Sequence, residues 1–310
     1  MELWQAVILG LVEGVTEYLP ISSTGHLILA ASLMGLDTPE LKRTTDDFLI
    51  VIQGGAILAV LGLYAGRVVQ MLKGLVGRDR EGLRLAINIV IAFIPAAVIG
   101  LLLEEHIDRL LFHPVPVLAA LALGGVYMIA LDRWRLKKMR EEEAHGDDPE
   151  SEARHGFESL TPVRALTIGL MQVVALIPGT SRSMMTITGG VLVGLKPARA
   201  AEFSFLLGLP TLGGATLYKL AKNLYESHES GQPNLFETFG VVPAIVGVAV
   251  ATVSAAFAVR WLVGFLNKHG LAGFGWYRIA LAAVLGVLIW GGVVGIGSEE
   301  PGEPVITSGE

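Results

Sequence analysis

The sequence predicts an all-α polytopic membrane protein, with six transmembrane helices and two broken re-entrant helical hairpins in an inverted-topology repeat. Three observations carry this expectation. Of 310 residues, 52% are hydrophobic and 17% charged, with a mean hydropathy of +0.59; a soluble domain carries about 25% charged residues. Apolar runs long enough to cross a bilayer recur along the chain. Two of these runs are broken by a proline followed by hydroxyl residues, and the two breaks match between the halves of the chain.

The first broken run, residues 3–35, holds an unusual set of polar groups. Glu13 and Glu17 are four apart and share one helix face. Pro20 lacks a backbone donor and stops that helix. Ser22, Ser23 and Thr24 read as the start of a second helix, whose first N–H groups are free. His26 follows Ser23 by three positions and faces the same space. Ionisable groups at lipid depth cost free energy and mark function. A hairpin that dips into the membrane, its irregular tip lining a polar cavity, accommodates all of this.

A polar loop follows at 36–46, then a span at 47–64. The loop 65–84 carries Arg67, Lys73, Arg78, Arg80 and Arg84. Spans at 85–103, with Pro95 inside, and 115–131 complete a first repeat, 1–131, with a short polar loop at 104–114 between them. Residues 132–164, basic and then acidic, read as a solvated, partly disordered cytoplasmic connector. The second repeat, 165–297, opens on a broken run at 165–195, interrupted at Pro178-Gly179-Thr180-Ser181-Arg182-Ser183, and continues with spans near 201–217, 241–260 and 277–296. An acidic tail, 298–310, is expected to fray. Gly10 with Gly14, and Gly190 with Gly194, have the four-residue spacing of close helix packing.

The halves align. Ala6, Gly10, Leu11 and Glu13 match Ala165, Gly169, Leu170 and Gln172 at one offset; one deletion later, Pro20, Ser22 and Ser23 match Pro178, Thr180 and Ser181. Asp47-Phe48 then matches Glu202-Phe203. A hairpin plus three crossings per half inverts the second half relative to the first. The basic loops 65–84 and 132–140 belong in the cytoplasm. The first hairpin then enters from outside and the second from inside, so that their tips can meet, and the C-terminus lies outside. The absence of cysteine excludes disulfides, thiol catalysis and Cys-based metal sites. A net charge of −6 does not suggest a nucleic-acid partner. The N-terminus lacks a basic region ahead of its apolar run and is read as part of the mature fold, not a signal peptide.

At the second tip, Arg182 adds a permanently charged donor fork to a helix start, with Thr180, Ser181 and Ser183 as hydroxyl donors. Two such helix starts, the other at Ser22, Ser23 and Thr24, make an anion site. A carboxylate beside phosphate needs a cation or a proton between them. Mg²⁺, or Ca²⁺, on Glu13 and Glu17 would supply the cation; a protonated glutamate acting as an acid is the other solution. His26 could activate Ser23 or a water, or protonate a leaving phosphate.

These motifs resemble the undecaprenyl-pyrophosphate phosphatase, or bacitracin-resistance protein, family. The first runs Glu13-Gly-Val-Thr-Glu17-Tyr-Leu-Pro20-Ile-Ser22-Ser23-Thr24-Gly25-His26, and the second Pro178-Gly179-Thr180-Ser181-Arg182-Ser183. The resemblance covers nearly the whole chain. It implies a divalent-cation-dependent, multi-pass enzyme of the bacterial inner membrane, opening to the outer, periplasmic face. Its substrate would be undecaprenyl pyrophosphate, cleaved to undecaprenyl phosphate and phosphate to recycle the lipid carrier of peptidoglycan synthesis. The matching positions imply Glu17, Ser23, His26 and Arg182 as catalytic, Glu13 and Glu17 as metal ligands, and Ser22, Thr24, Thr180, Ser181, Arg182 and Ser183 as phosphate-binding. The nucleophile is Ser23, His26 or water, with Ser23 preferred. Association into a homodimer is left open. One departure stands out: Met184 and Met185 follow Ser183, where the family usually continues with Gly and Ala, and a flexible methionine there is expected to line a lipid entrance. The alternative readings are a lipid flippase or transporter on the same inverted-repeat plan, and a phosphatase of the unrelated lipid-phosphatase class. The second is weak, because Thr24 separates Ser23 from Gly25 and no histidine follows Arg182 before His228.

Overall fold

The computed structural model describes residues 1–144, 157–231 and 233–294. Among them there are helices and turns and no strand. In order they are α1 (Leu3–Thr16), α2 (Ser23–Leu33), α3 (Pro39–Leu63), α4 (Ala65–Leu75), α5 (Arg80–Leu111), α6 (Pro114–Ala144), α7 (Pro162–Val174), α8 (Arg182–Leu192), α9 (Pro197–Ser230), α10 (Leu235–Phe239), α11 (Val241–His269) and α12 (Ala272–Trp290).

Each helix starts and stops for local reasons. Proline occupies the first turn of α3, α7 and α9, where a missing N–H costs nothing. The Asp79 side chain accepts from Gly82 N at the start of α5, and Asn234 with Glu237 forms a capping box on α10. Gly231, in the left-handed region at φ 67°, ends α9. Asp132 of α6 accepts from Ala272 N, so one helix caps the start of another.

Among the described residues, five helical segments are long and apolar enough to cross a membrane: Thr44–Leu63, Arg80–Leu103, Pro114–Lys138, Val241–His269 and Ala272–Trp290. Their outer surface is apolar, with Leu102, Leu123, Phe257 and Val287 exposed, while Glu13 and Arg278 are buried. Polar inside and apolar outside is the arrangement of a polytopic membrane protein. The expected span 201–217 lies inside the 34-residue α9, which is not among these five.

Several boundaries differ from the sequence reading. The loop 36–46 is helical from Pro39, the loop 65–84 contains α4, and α5 runs on through most of 104–114. The basic part of the connector, to Ala144, continues α6 as helix, and α7 starts at Pro162. Hydropathy marks where a helix meets lipid, whereas backbone hydrogen bonding continues past that point until a cap stops it. Residues 145–156 of the connector and the tail 298–310 lie outside the described residues.

Helices pair across the two halves of the chain: α1 with α11, α7 with α5, α6 with α12, and α3 with α9. Small residues permit this. A Cβ on Gly10 would lie 2.5 Å from Gly247 O, and one on Gly169 would lie 2.5 Å from Ala92 O. Gly14 faces Ser254, and Gly190 faces Ala200, with the same tightness. Gly194 has no such role: at φ +97° it ends α8 with open space around it.

Candidate active site

The first tip is the turn between α1 and α2, the second the turn between α7 and α8. Each ends on a serine in the left-handed region, Ser22 at φ 73° and Ser181 at φ 76°; no other non-glycine residue among those described has a positive φ. These serines are the N-cap residues of α2 and α8. They correspond at the same offset as Glu13 and Gln172, so the deletion expected between the halves is absent. Ser22 matches Ser181, and Ser23 matches Arg182. Hydroxyl-rich stretches align equally well one residue apart in sequence; only the backbone conformation distinguishes the two registers.

The tips touch. Ser183 Oγ donates to Leu19 O at 2.8 Å, from α8 to the turn after α1. Ser181 Oγ lies 3.0 Å from Ser183 Oγ and accepts from Met184 N, which caps α8. Arg182 reaches back to the first tip: Nη2 donates to Glu17 Oε1 at 3.2 Å, and Nη1 to Ser204 O of α9 at 3.0 Å. Its guanidinium also sits 5.4 Å from the Tyr18 ring centroid. Ser23 Oγ donates to Glu17 Oε2 at 2.7 Å. Glu17 therefore holds a hydroxyl with one oxygen and a guanidinium with the other. This is an ordered Ser23–Glu17–Arg182 chain.

Glu13 Oε1 and Arg182 Nε are left without a partner among the described residues, as are Tyr18 Oη and Arg278 Nη1 beside them. Glu13 is 1% exposed. A buried carboxylate oxygen without a donor, one helical turn from a second carboxylate, calls for a cation or a proton. Glu13 and Glu17 together offer the hard oxygen donors that Mg²⁺ accepts alongside phosphate oxygens, so the residues fit such an ion. No group of three or more His, Asp or Glu ligands occurs among the described residues; two carboxylates plus substrate oxygens are the set available.

His26 makes no hydrogen bond to Ser23. Nδ1 donates to Ser22 O at 2.7 Å, and Nε2 lies 2.7 Å from Tyr277 OH, with the two rings stacked. In the neutral ring Nε2 accepts from the tyrosine hydroxyl. Both nitrogens are occupied, and neither bonds Ser23. Thr24 and Thr180 make no side-chain hydrogen bond among the described residues, though Thr180 is buried. Met184 is also buried and packs toward Gly124 of α6, so it lines no opening.

Arg278 of α12 was missed by the motif reading. It is fully buried and donates to Ala120 O, Leu121 O and Gly179 O at 3.0–3.3 Å. It thereby ties the second tip to α6. A lone arginine inside the apolar run 277–296 was the signal available. Gly179 itself, at φ +89°, approaches α6 so closely that a Cβ would lie 2.6 Å from Val117 O.

An undecaprenyl-diphosphatase from Sorangium cellulosum (strain So ce56) is 45% identical over 282 residues, covering 91% of this chain and 85% of that protein. One from Acidovorax ebreus (strain TPSY) is 40% identical, covering 94% and 97%. Undecaprenyl-diphosphatase 2 of Rhodospirillum rubrum is 44% identical, covering 94% and 96%. The family model described as bacitracin resistance protein BacA matches residues 6–284, so the chain belongs to that family.

Proposed function

We propose that this chain is an integral membrane undecaprenyl-diphosphatase, which hydrolyses undecaprenyl pyrophosphate to undecaprenyl phosphate and phosphate. The observation that carries the reading is the Ser23–Glu17–Arg182 chain joining the two tips. The family relationship supports the lipid substrate and the link to bacitracin resistance.

The mechanism follows from these contacts. The terminal phosphate binds between the helix starts of α2 and α8, where free backbone N–H groups and the Ser22, Thr24, Thr180, Ser181 and Ser183 hydroxyls can donate. Arg182 Nε and a released Nη2 take its oxygens. Ser23 Oγ attacks phosphorus as its proton passes to Glu17 Oε2. The bond to the bridging oxygen breaks, Glu17 passes the proton on to that oxygen, and undecaprenyl phosphate leaves, so that Glu17 is again a carboxylate. Water, deprotonated by Glu17, then cleaves the Ser23–phosphate ester and regenerates the hydroxyl. Glu13 and Glu17 would hold a divalent cation, which when bound neutralises charge on the phosphate. His26, locked between Ser22 O and Tyr277, holds the α2 start in shape for attack rather than moving the Ser23 proton.

The inverted repeat supports six crossings, with α9 as the sixth, and hairpins α1–α2 and α7–α8 entering from opposite faces. The basic segments around α4 and the end of α6 support a cytoplasmic placement, leaving the first hairpin and the C-terminus on the periplasmic side of the inner membrane.

The test is phosphate release from a long-chain prenyl pyrophosphate by purified protein in detergent. Release that needs Mg²⁺, stops with EDTA and falls roughly a hundredfold or more in Glu17→Ala and Arg182→Ala is expected. Lipid transport in vesicles by well-folded protein that releases no phosphate would favour a transporter instead.

A further inference from the structure

A second set of arginines converges outside the tips. α4 folds back on α5 through a tight turn: a Cβ on Gly74 would lie 2.0 Å from Leu83 N, and one on Gly82 would lie 2.0 Å from Gln70 O. This brings Arg67 of α4 beside Arg84 and Asn88 of α5, and both against Phe157 and Arg199 at the start of α9. A cavity of about 130 Å³ lies among them, with Glu81 also in its lining. One water needs only about 10–15 Å³, so the space suits a polyatomic ligand.

The lining is assembled, not incidental. Arg67 and Arg199 both pair with Glu202, at 2.9 and 2.6 Å, and both guanidiniums lie over the Phe157 ring, at 5.2 and 6.0 Å. They are held in place with donors to spare, since each guanidinium has five. Arg84 forms no ion pair among the described residues and contributes its charge outright. Asn88 is 1% exposed; its Nδ2 donates to Leu160 O, and its Oδ1 has no partner. Three arginines against two carboxylates leave an anion site, and the orphan Oδ1 adds an acceptor for a ligand hydroxyl or amine.

The setting indicates the source of that anion. α4 presents Val69, Leu72 and Leu75 outward while Arg67 and Lys73 share the same helix, which is the pattern of a helix lying in the membrane interface. Glu202 and Ser204 are two residues apart on α9 and so project about 200° apart; the cavity and the Arg182 site use opposite sides of that helix. We infer that this cavity is a binding site for a phosphate-bearing anion, filled by the phosphodiester headgroup of an anionic lipid that carries a hydroxyl, such as phosphatidylglycerol.

Native mass spectrometry of the detergent-purified full chain tests this, with phosphatidylglycerol and phosphatidylcholine as probes and Arg84→Glu and Asn88→Leu as variants. Arg84 is exposed, so its reversal leaves folding and phosphate release intact. Wild type should retain phosphatidylglycerol over phosphatidylcholine, and Arg84→Glu should lose about tenfold of that retention, as removal of a charge-assisted contact gives. Asn88→Leu should weaken phosphatidylglycerol more than phosphatidic acid, which lacks the hydroxyl. In a second arm, inorganic phosphate is titrated and the rise in melting temperature is compared between wild type and Arg84→Glu, so that binding at the Arg182 site cancels. A difference there without lipid retention assigns the site to free phosphate. Equal lipid retention and equal phosphate response in wild type and Arg84→Glu would overturn the proposal.

Discussion

Glu17 serves two partners at once, and that division is the centre of the proposed site. One oxygen accepts from Ser23 and the other from Arg182. Both residues were legible as site candidates from the sequence, because charge and hydroxyls inside an apolar run have few structural uses. Which glutamate Arg182 meets was not, because Glu17 and Arg182 are 165 residues apart. A still longer separation, 251 residues, hid the partner of His26, which bonds Tyr277 on α12. Arg278 is the neighbouring case. Its three carbonyl acceptors require a planar fork, and lysine cannot reproduce it. Arg278→Lys is expected to slow phosphate release about tenfold or more through a displaced second tip, with loss of roughly 1–3 kcal/mol of stability. Parallel measurement of kcat and thermal unfolding in detergent checks it; an unchanged kcat at lowered stability would reduce Arg278 to a purely structural tie.

At the scale of elements, the paired tips depend on two backbone features. Ser22 and Ser181 hold a left-handed conformation that costs an L-residue about 1–2 kcal/mol. Ser22→Gly should therefore raise stability by up to about 1 kcal/mol, while Ser22→Val should lower it by more than that. Denaturation of the two variants side by side decides this; equal stability would mean that the turn conformation is not maintained in solution. The second feature is the approach of α1 to α11. A Cβ on Gly14 would lie 2.1 Å from Ser254 Oγ and 2.4 Å from Ala251 O. Gly14→Leu must push the helices apart, at a cost of roughly 1–3 kcal/mol or more. It should also move Glu13 and Glu17 relative to Arg182, so activity should fall even in protein that remains folded, which an assay below the variant's melting temperature would detect. The four-residue glycine spacing announced this contact; its partner helix was readable only from the packing.

For the whole molecule, the proposed inverted repeat makes a topological claim that the absence of cysteine allows to be tested cleanly. Single cysteines at Val76, in the turn after α4, and at Gly35, in the turn after α2, should label from opposite sides of intact cells. A membrane-impermeant maleimide should reach position 35 in intact cells and position 76 only after permeabilisation. The reverse result would invert the orientation; labelling of both from one side would end the inverted-repeat topology.

The sequence alone determined the class of the protein and the identity of its polar centre. Hydropathy and helical periodicity are local properties, and the cost of placing Glu13, Glu17, Ser23 and Arg182 in an apolar run can be read without knowing their neighbours. The tertiary structure decided which of these groups meet, that the two tips align without a deletion, that α6 continues as helix into the basic part of the connector, and that Tyr277, Arg278 and the carbonyl of Ser204 lie at the site. Those outcomes depend on which helix faces pack together. That is settled by close approaches between small residues far apart in the chain, such as Gly10 on Gly247 and Gly169 on Ala92, which no local pattern encodes.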